Sequence, residues 1–233
     1  MRLVINLDCN GEVPYDHQYL LYSSILNSVK GADENLVSKI HDNSHSPRFS
    51  LSQLLPVGER EFKGSGIKAD RFIFFISSLD VTILEKIKFG IESKNYIIIG
   101  NNRMLIHSIK FETPRISSEI VNMISRSPVI LKNENKYITT SDENFSTILQ
   151  NNIISKYKKV TGKEPYIKFI RLTNSKSKLS ILKGAGIPSS MLTFTIGANY
   201  ELLDFIVNVG IGAKTQMGFG YIEEQRIVRE HGF

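Results

Sequence analysis

A chain of 233 residues is long enough to bury a substantial core, as one large domain or two small ones. Its 41% hydrophobic and 22% charged content is that of an ordinary globular protein, and no apolar run approaches the roughly 20 residues that span a bilayer. A single cysteine, Cys9, excludes an intrachain disulfide and a thiolate metal cluster, while a net charge of +6 leans toward a polyanionic partner. Met1-Arg2-Leu3 passes directly into the alternating residues of a half-buried strand, Arg2 to Asp8, without a separate signal-peptide core. A cytoplasmic protein with no membrane partner is the expectation.

Asp16 to Lys30 sets Leu20, Leu21, Ile25, Leu26 and Val29 on one helical stripe. Asp33 opens a second, short helix over Leu36, Val37 and Ile40 that ends near His41. Ser44 to Pro47 is loop by composition. Arg48 to Leu55 and Arg71 to Ser77 read as strands, with Gly58 to Gly66 as the turn region between them. Asp80 caps a helix running to Gly90, and Tyr96 to Ile99 and Met104 to Phe111 form a final strand pair. The order β-α-β-β-α-β is the ferredoxin-like pattern.

The pattern then repeats. Val129 to Leu131 pairs with Lys136 to Thr140, and Ser141 to Val160 carries Phe145, Ile148, Leu149, Ile153 and Tyr157 on a helical face. Strands follow at Tyr166 to Thr173, Leu179 to Lys183 and Met191 to Gly197, then a helix at Tyr200 to Val209 and a last strand at Gly218 to Ile227. The expected fold class is α+β, two tandem ferredoxin-like domains at 1–112 and 128–233, joined by a linker at 113–127.

Between the last helix and the last strand lies Gly210-Ile-Gly212-Ala-Lys214-Thr215-Gln216-Met-Gly218-Phe-Gly220, four glycines in eleven residues. Glycine permits positive φ and close approach of another chain. Lys214, Thr215 and Gln216 add a cation and two neutral hydrogen-bonding groups, a combination suited to a phosphate backbone. A Walker loop is excluded, because Ala213 precedes Lys214-Thr215 and Asn208 stands where the first glycine belongs. A dinucleotide fingerprint is excluded because these glycines lead into a strand, not a helix. Upstream, Lys156, Lys158, Lys159, Lys163, Lys168, Arg171, Lys176, Lys178 and Lys183 stand against Glu164 alone. A solvated face usually mixes signs, so this one-sided block reads as a nucleic-acid footprint.

The Gly-apolar-Gly pair, five residues including a basic one, and a second Gly-apolar-Gly resemble the signature loop of CRISPR repeat-RNA endoribonucleases, the Cas-six type of the RAMP superfamily. Met1 to Leu7, Pro14 to Tyr19, Ser24-Ile25, Lys30 to Asp33 and Ile40-His41-Asp42 resemble that family's opening strand and helices. By motif the resemblance spans residues 1–50 and 186–224; between them it rests on element order. It implies the same two-domain fold, CRISPR repeat RNA as partner, no cofactor and no metal, and a catalytic histidine at the position of His41.

Metal-free RNA cleavage needs a base for the neighbouring 2′-hydroxyl, an acid for the departing 5′-oxygen and a cation for the crowded phosphate. Histidine takes either proton role near neutrality. No metal-ligand spacing links the five histidines to carboxylates or Cys9. His41 either caps its helix or performs this chemistry, and the resemblance favours the second. Many members add a tyrosine on the first helix and a lysine after the histidine. Here Leu26 matches the tyrosine, Tyr22 lies one turn earlier on the same face, and Arg48 stands in the lysine's stretch. The site is then His41 with Tyr22 and Arg48, or His41 with His45.

For RNA binding the candidates are Gly210, Gly212, Lys214, Thr215, Gln216, Gly218 and Gly220, with Lys156, Lys159, Arg171, Lys176 and Lys178 supplying the salt-sensitive contacts. The Leu26 and Arg48 departures leave a non-catalytic repeat-RNA binder as the alternative. A structural RAMP subunit of a CRISPR effector complex is another. Other effector subunits are further candidate partners, and the chain is expected to be a monomer or a homodimer.

Overall fold

The structure, a computed structural model, describes residues 1–31, 33–41 and 49–225, and only the backbone of Lys39 and His41. The first unit comprises β1 (Arg2–Asp8), β2 (Glu12–Pro14), α1 (Gln18–Lys30), α2 (Glu34–His41), β3 (Ser50–Leu51), β4 (Leu55–Phe62), β5 (Gly66–Ser77), α3 (Val81–Lys94), β6 (Tyr96–Ile99) and β7 (Asn102–Glu112). β1 sits between β5 and β7, both antiparallel, while β3 and β4 add to the far edge of β5. Alternation in β1 puts Leu3, Ile5 and Leu7 on the helix side, where they meet Phe72, Phe74 and Ile76 of β5 and Leu21 and Ile25 of α1. Burying each such side chain contributes about 1.5–3 kcal/mol.

The second unit repeats the plan with β8 (Ile120–Ser125), β9 (Leu131–Asn133), β10 (Lys136–Ile138), α4 (Phe145–Thr161), β11 (Ile167–Leu182), β12 (Ala185–Ala198), α5 (Tyr200–Val209) and β13 (Ile222–Glu224). Its sheet runs β11-β12-β8-β13, the order of β4-β5-β1-β7 in the first unit. Met123, Phe194 and Ile196 face Leu149 and Ile153 of α4 and Leu202 and Ile206 of α5. Two ferredoxin-like units in tandem are therefore the fold.

Short polar residues set the helix starts. Asp33 Oδ1 accepts from the amide of Leu36, Asp80 from Thr82, and the Asn199 side chain from Leu202. The segment expected as a linker differs: residues 120–125 form β8, paired to β12 and β13 in the middle of the second sheet. Its Pro and Ser flanks conceal a short alternation in which Val121 and Met123 are buried. The pair expected to open that sheet, near 129–140, is instead the separate β9–β10 hairpin. β4 runs through the expected turn to Phe62.

The separate strands expected between 166 and 197 are one long hairpin, β11 and β12. Its two-residue turn, Lys183-Gly184, has φ of 52° and 80°, the left-handed pair that matches strand twist. Polar Asn174 to Lys178 stay in the ladder because each is matched by a β12 residue, and lysines suit an edge strand.

Candidate nucleic-acid interface

The glycine loop leaves α5 at Gly210, makes a short 3-10 turn at Thr215–Met217, and enters β13. All four glycines have positive φ, from 65° to 85°, and all are buried. Space demands glycine as much as conformation does. A Cβ on Gly210 would lie 2.7 Å from the Gly220 carbonyl oxygen, one on Gly212 2.5 Å from that of Ile130, and one on Gly218 2.9 Å from Gln18 Cβ. The loop is thus wedged between the second unit and the start of α1.

Most of its amides are already committed. Gly210 donates to Ile206, Ile211 to Gly220, Gly212 to Asn152 Oδ1, Ala213 to Ile130, Met217 to Lys214 and Gly220 to Pro128. Gly210, Gly212 and Gly220, expected to present amides to phosphate, therefore shape the loop instead. What faces outward is the exposed side chain of Lys214, with Gln216 half-buried beside it; the first amides of the 3-10 turn have no acceptor within that turn. Thr215 is buried, and its hydroxyl donates to the Phe49 carbonyl at 3.5 Å.

Lys156, also expected to contact RNA, is turned inward. Its ammonium donates to the carbonyls of Gly210 at 3.1 Å and Gly212 at 2.7 Å, and burial pushes its pKa down to about 7. Lys159, one turn further along α4, is exposed, as is Arg171 on β11.

Lys176 and Lys178 line a groove of about 460 Å³ between the units, opposite Tyr15, His17, Gln53 and Phe62. Burial and the neighbouring Lys176 lower the pKa of Lys178. Phe62 is 65% exposed there, with the Arg60 guanidinium 5.8 Å from its ring centroid. Residues of this first-unit wall escape sequence reading because no spacing links them to β11. Nearby, Lys183 at the hairpin turn lies 5.2 Å from the Tyr19 ring centroid, a cation–π contact between units.

On the first unit, Tyr22 and Leu26 line the groove between α1 and α2, and both also belong to the first core. Burial raises the pKa of Tyr22. His41 is the last residue of α2, while His45 and Arg48 lie outside the described residues. The chain is described again at Phe49, whose carbonyl accepts from Thr215. The next residue, Ser50, donates from its hydroxyl to the Asn208 carbonyl at 3.2 Å. Phe49 thus lies against the glycine loop, 166 residues before Thr215 in sequence. Among the described residues, no three His, Cys, Asp or Glu side chains converge as a metal site, and no helix is long and apolar enough to cross a membrane.

Two family models divide the chain: the N-terminal part of CRISPR-associated protein Cas6 matches residues 12–110, and the Cas6 C-terminal part matches residues 111–224. A Cas6 endoribonuclease-like protein of Pyrococcus furiosus is 28% identical over 244 residues, covering 97% of this chain and 100% of the relative. A CRISPR-associated endoribonuclease Cas6 of Methanocaldococcus jannaschii is 24% identical, covering 95% and 92%. The solved structure of a Cas6-related protein from Pyrococcus furiosus superimposes with a TM-score of 0.84 at 25% identity, over 97% of this chain and 98% of that one. A RAMP protein described as binding different RNA substrates shares the fold, with a TM-score of 0.86 at 23% identity over 97% and 100%. Matched in both halves from residue 12 to residue 224, the chain belongs to the Cas6 family of CRISPR-associated proteins.

Proposed function

We propose that this chain binds CRISPR repeat RNA and cuts it within the repeat to release guide RNAs, without a metal. The neighbouring 2′-hydroxyl attacks the scissile phosphorus in line and the 5′-oxygen leaves, giving 5′-hydroxyl and 2′,3′-cyclic phosphate ends. His41 moves a proton in this step, with Tyr22 and Arg48, or His45, completing the site. Lys214 and the first amides of the 3-10 turn hold a phosphate, and the Lys176–Lys178 groove takes the strand.

The observation that carries this reading is the Thr215–Phe49 contact. It sets Phe49, eight residues after His41, against the glycine loop, in a protein whose relatives are named endoribonucleases. Incubating the protein with repeat RNA in EDTA, followed by analysis of the product ends, is the test. Cleavage should persist in EDTA, and His41→Ala should slow it about 10²–10⁴-fold with RNA affinity unchanged. Full-rate cutting by that variant removes His41 from the mechanism.

A second reading is a repeat-RNA binder that does not cut. Leu26 in place of the family's tyrosine favours it, as do two relatives whose names read endoribonuclease-like. The same incubation separates the two, because binding without products establishes the second.

A further inference from the structure

Asn152 and Lys156 lie one turn apart on α4, on the face that the glycine loop covers. Asn152 Oδ1 accepts from the Gly212 amide at 2.8 Å, while Lys156 Nζ donates to the carbonyls of Gly210 and Gly212 at 3.1 and 2.7 Å. Three bonds thus hold the first Gly-x-Gly pair from beneath, one acceptor and one donor side chain serving both polarities of the backbone. The far side of the loop is fixed separately, by Thr215 on Phe49 and by Gly218 against Gln18. Between these anchors lies Lys214, exposed and with φ of 60°. Its direction follows from where Gly210 and Gly212 are pinned.

We infer that Asn152 and Lys156 are positioning residues of the RNA-binding loop: they set its shape from the inner side, so that Lys214 and the 3-10 turn meet a phosphate, and do not touch RNA themselves. The inference rests on the reading that this loop holds RNA phosphate. α4 divides its lysines accordingly, with Lys156 under the loop and Lys159 free at the surface. Removing the ammonium leaves two inward carbonyls without their donor, and the Gly-x-Gly pair then relaxes to other φ/ψ values open to glycine.

Salt dependence tells a positioning lysine from a contacting one. Each phosphate contact adds about 0.7 to the log–log salt slope for a single strand, so a lost contact lowers affinity and slope together. Affinity for repeat RNA should be measured across a salt series for the full chain and for Lys214→Ala, Lys156→Met and Asn152→Ala, with thermal melts to verify folding. Lys214→Ala should weaken binding and flatten the slope by about 0.7. Lys156→Met and Asn152→Ala should each weaken binding about tenfold with the slope of the unmodified protein. A slope reduced in Lys156→Met, or undiminished affinity in both α4 variants, overturns the proposal. If Lys156→Met fails to fold, Asn152→Ala decides alone. Lys214→Ala without effect, or no repeat-RNA binding by the unmodified protein, overturns the underlying reading instead.

Discussion

His17, the buried residue just before α1, uses both ring nitrogens. Nε2 accepts from the Leu54 amide at 2.9 Å, so the proton sits on Nδ1, which donates to the Pro14 carbonyl at 2.7 Å. The neutral ring staples the start of α1 to the β3–β4 connection, and burial depresses its pKa to about 4. The unfolded chain takes up a proton near pH 6.5, whereas the folded chain resists until about pH 4. Stability from this residue is therefore present at neutral pH and lost as pH falls through that window, by roughly 3 kcal/mol at most. Urea unfolding at pH 7 and pH 4.5 should show His17→Gln less stable than the unmodified protein at pH 7 and less sensitive to acid. Parallel pH dependence in the two proteins would show that His17 is not the group responsible. The histidine that sequence reading singles out is His41, since helix-end position and family likeness are visible in one dimension. The His17 staple is not, because its partners are backbone groups brought in by folding. Lys156 was more legible than its inclusion among RNA contacts implies: it falls seven residues after Leu149, two helical turns, and so on the buried stripe of α4.

At the scale of elements, the β11–β12 hairpin carries the basic block into the groove between the units. Alternation marks only the apolar ends of this hairpin, because the polar middle of β11 is held chiefly by its backbone ladder, and backbone pairing leaves no trace in side-chain pattern. β8 was hidden for the converse reason, its two buried apolar residues being too few to stand out between proline-flanked segments. On the proposed reading, the groove's two walls make separable contributions to RNA binding. Lys178→Ala should lower the log–log salt slope by about 0.7, as loss of one phosphate contact. Phe62→Ala, across the groove, should cost about 1–3 kcal/mol of affinity with the slope intact, as loss of a base stacked on an exposed ring. Both follow from salt-titrated binding of repeat RNA. An unchanged affinity in both variants would mean that the strand takes another path.

At the scale of the whole molecule, two separate cores are joined by a third, smaller one. Ile130, Leu182, Ile187 and Phe219 form it, with Tyr19 and Met217 packed alongside and also touching the first core. A polar knot adjoins the seam: Arg2 of β1 pairs with Glu112 at 2.9 Å and Glu223 at 3.5 Å, while the buried Tyr221 hydroxyl accepts from Ser77. The glycine loop threads this seam, which explains why it needs four buried glycines. It must hold two units in register as well as present Lys214. Phe219, fully buried, is the largest side chain of the seam core, and its removal leaves a cavity where the units meet. Phe219→Ala should cost about 3–5 kcal/mol. Because each unit keeps its own core, that loss should fall on their coupling, so the calorimetric transition should split in two. His41 belongs to the first unit and the glycine loop to the second. Cleavage should therefore fall further than RNA affinity in the same variant. A single transition, shifted only in Tm and with cleavage and binding reduced in proportion, would mean that the seam stabilises the protein without aligning its two halves.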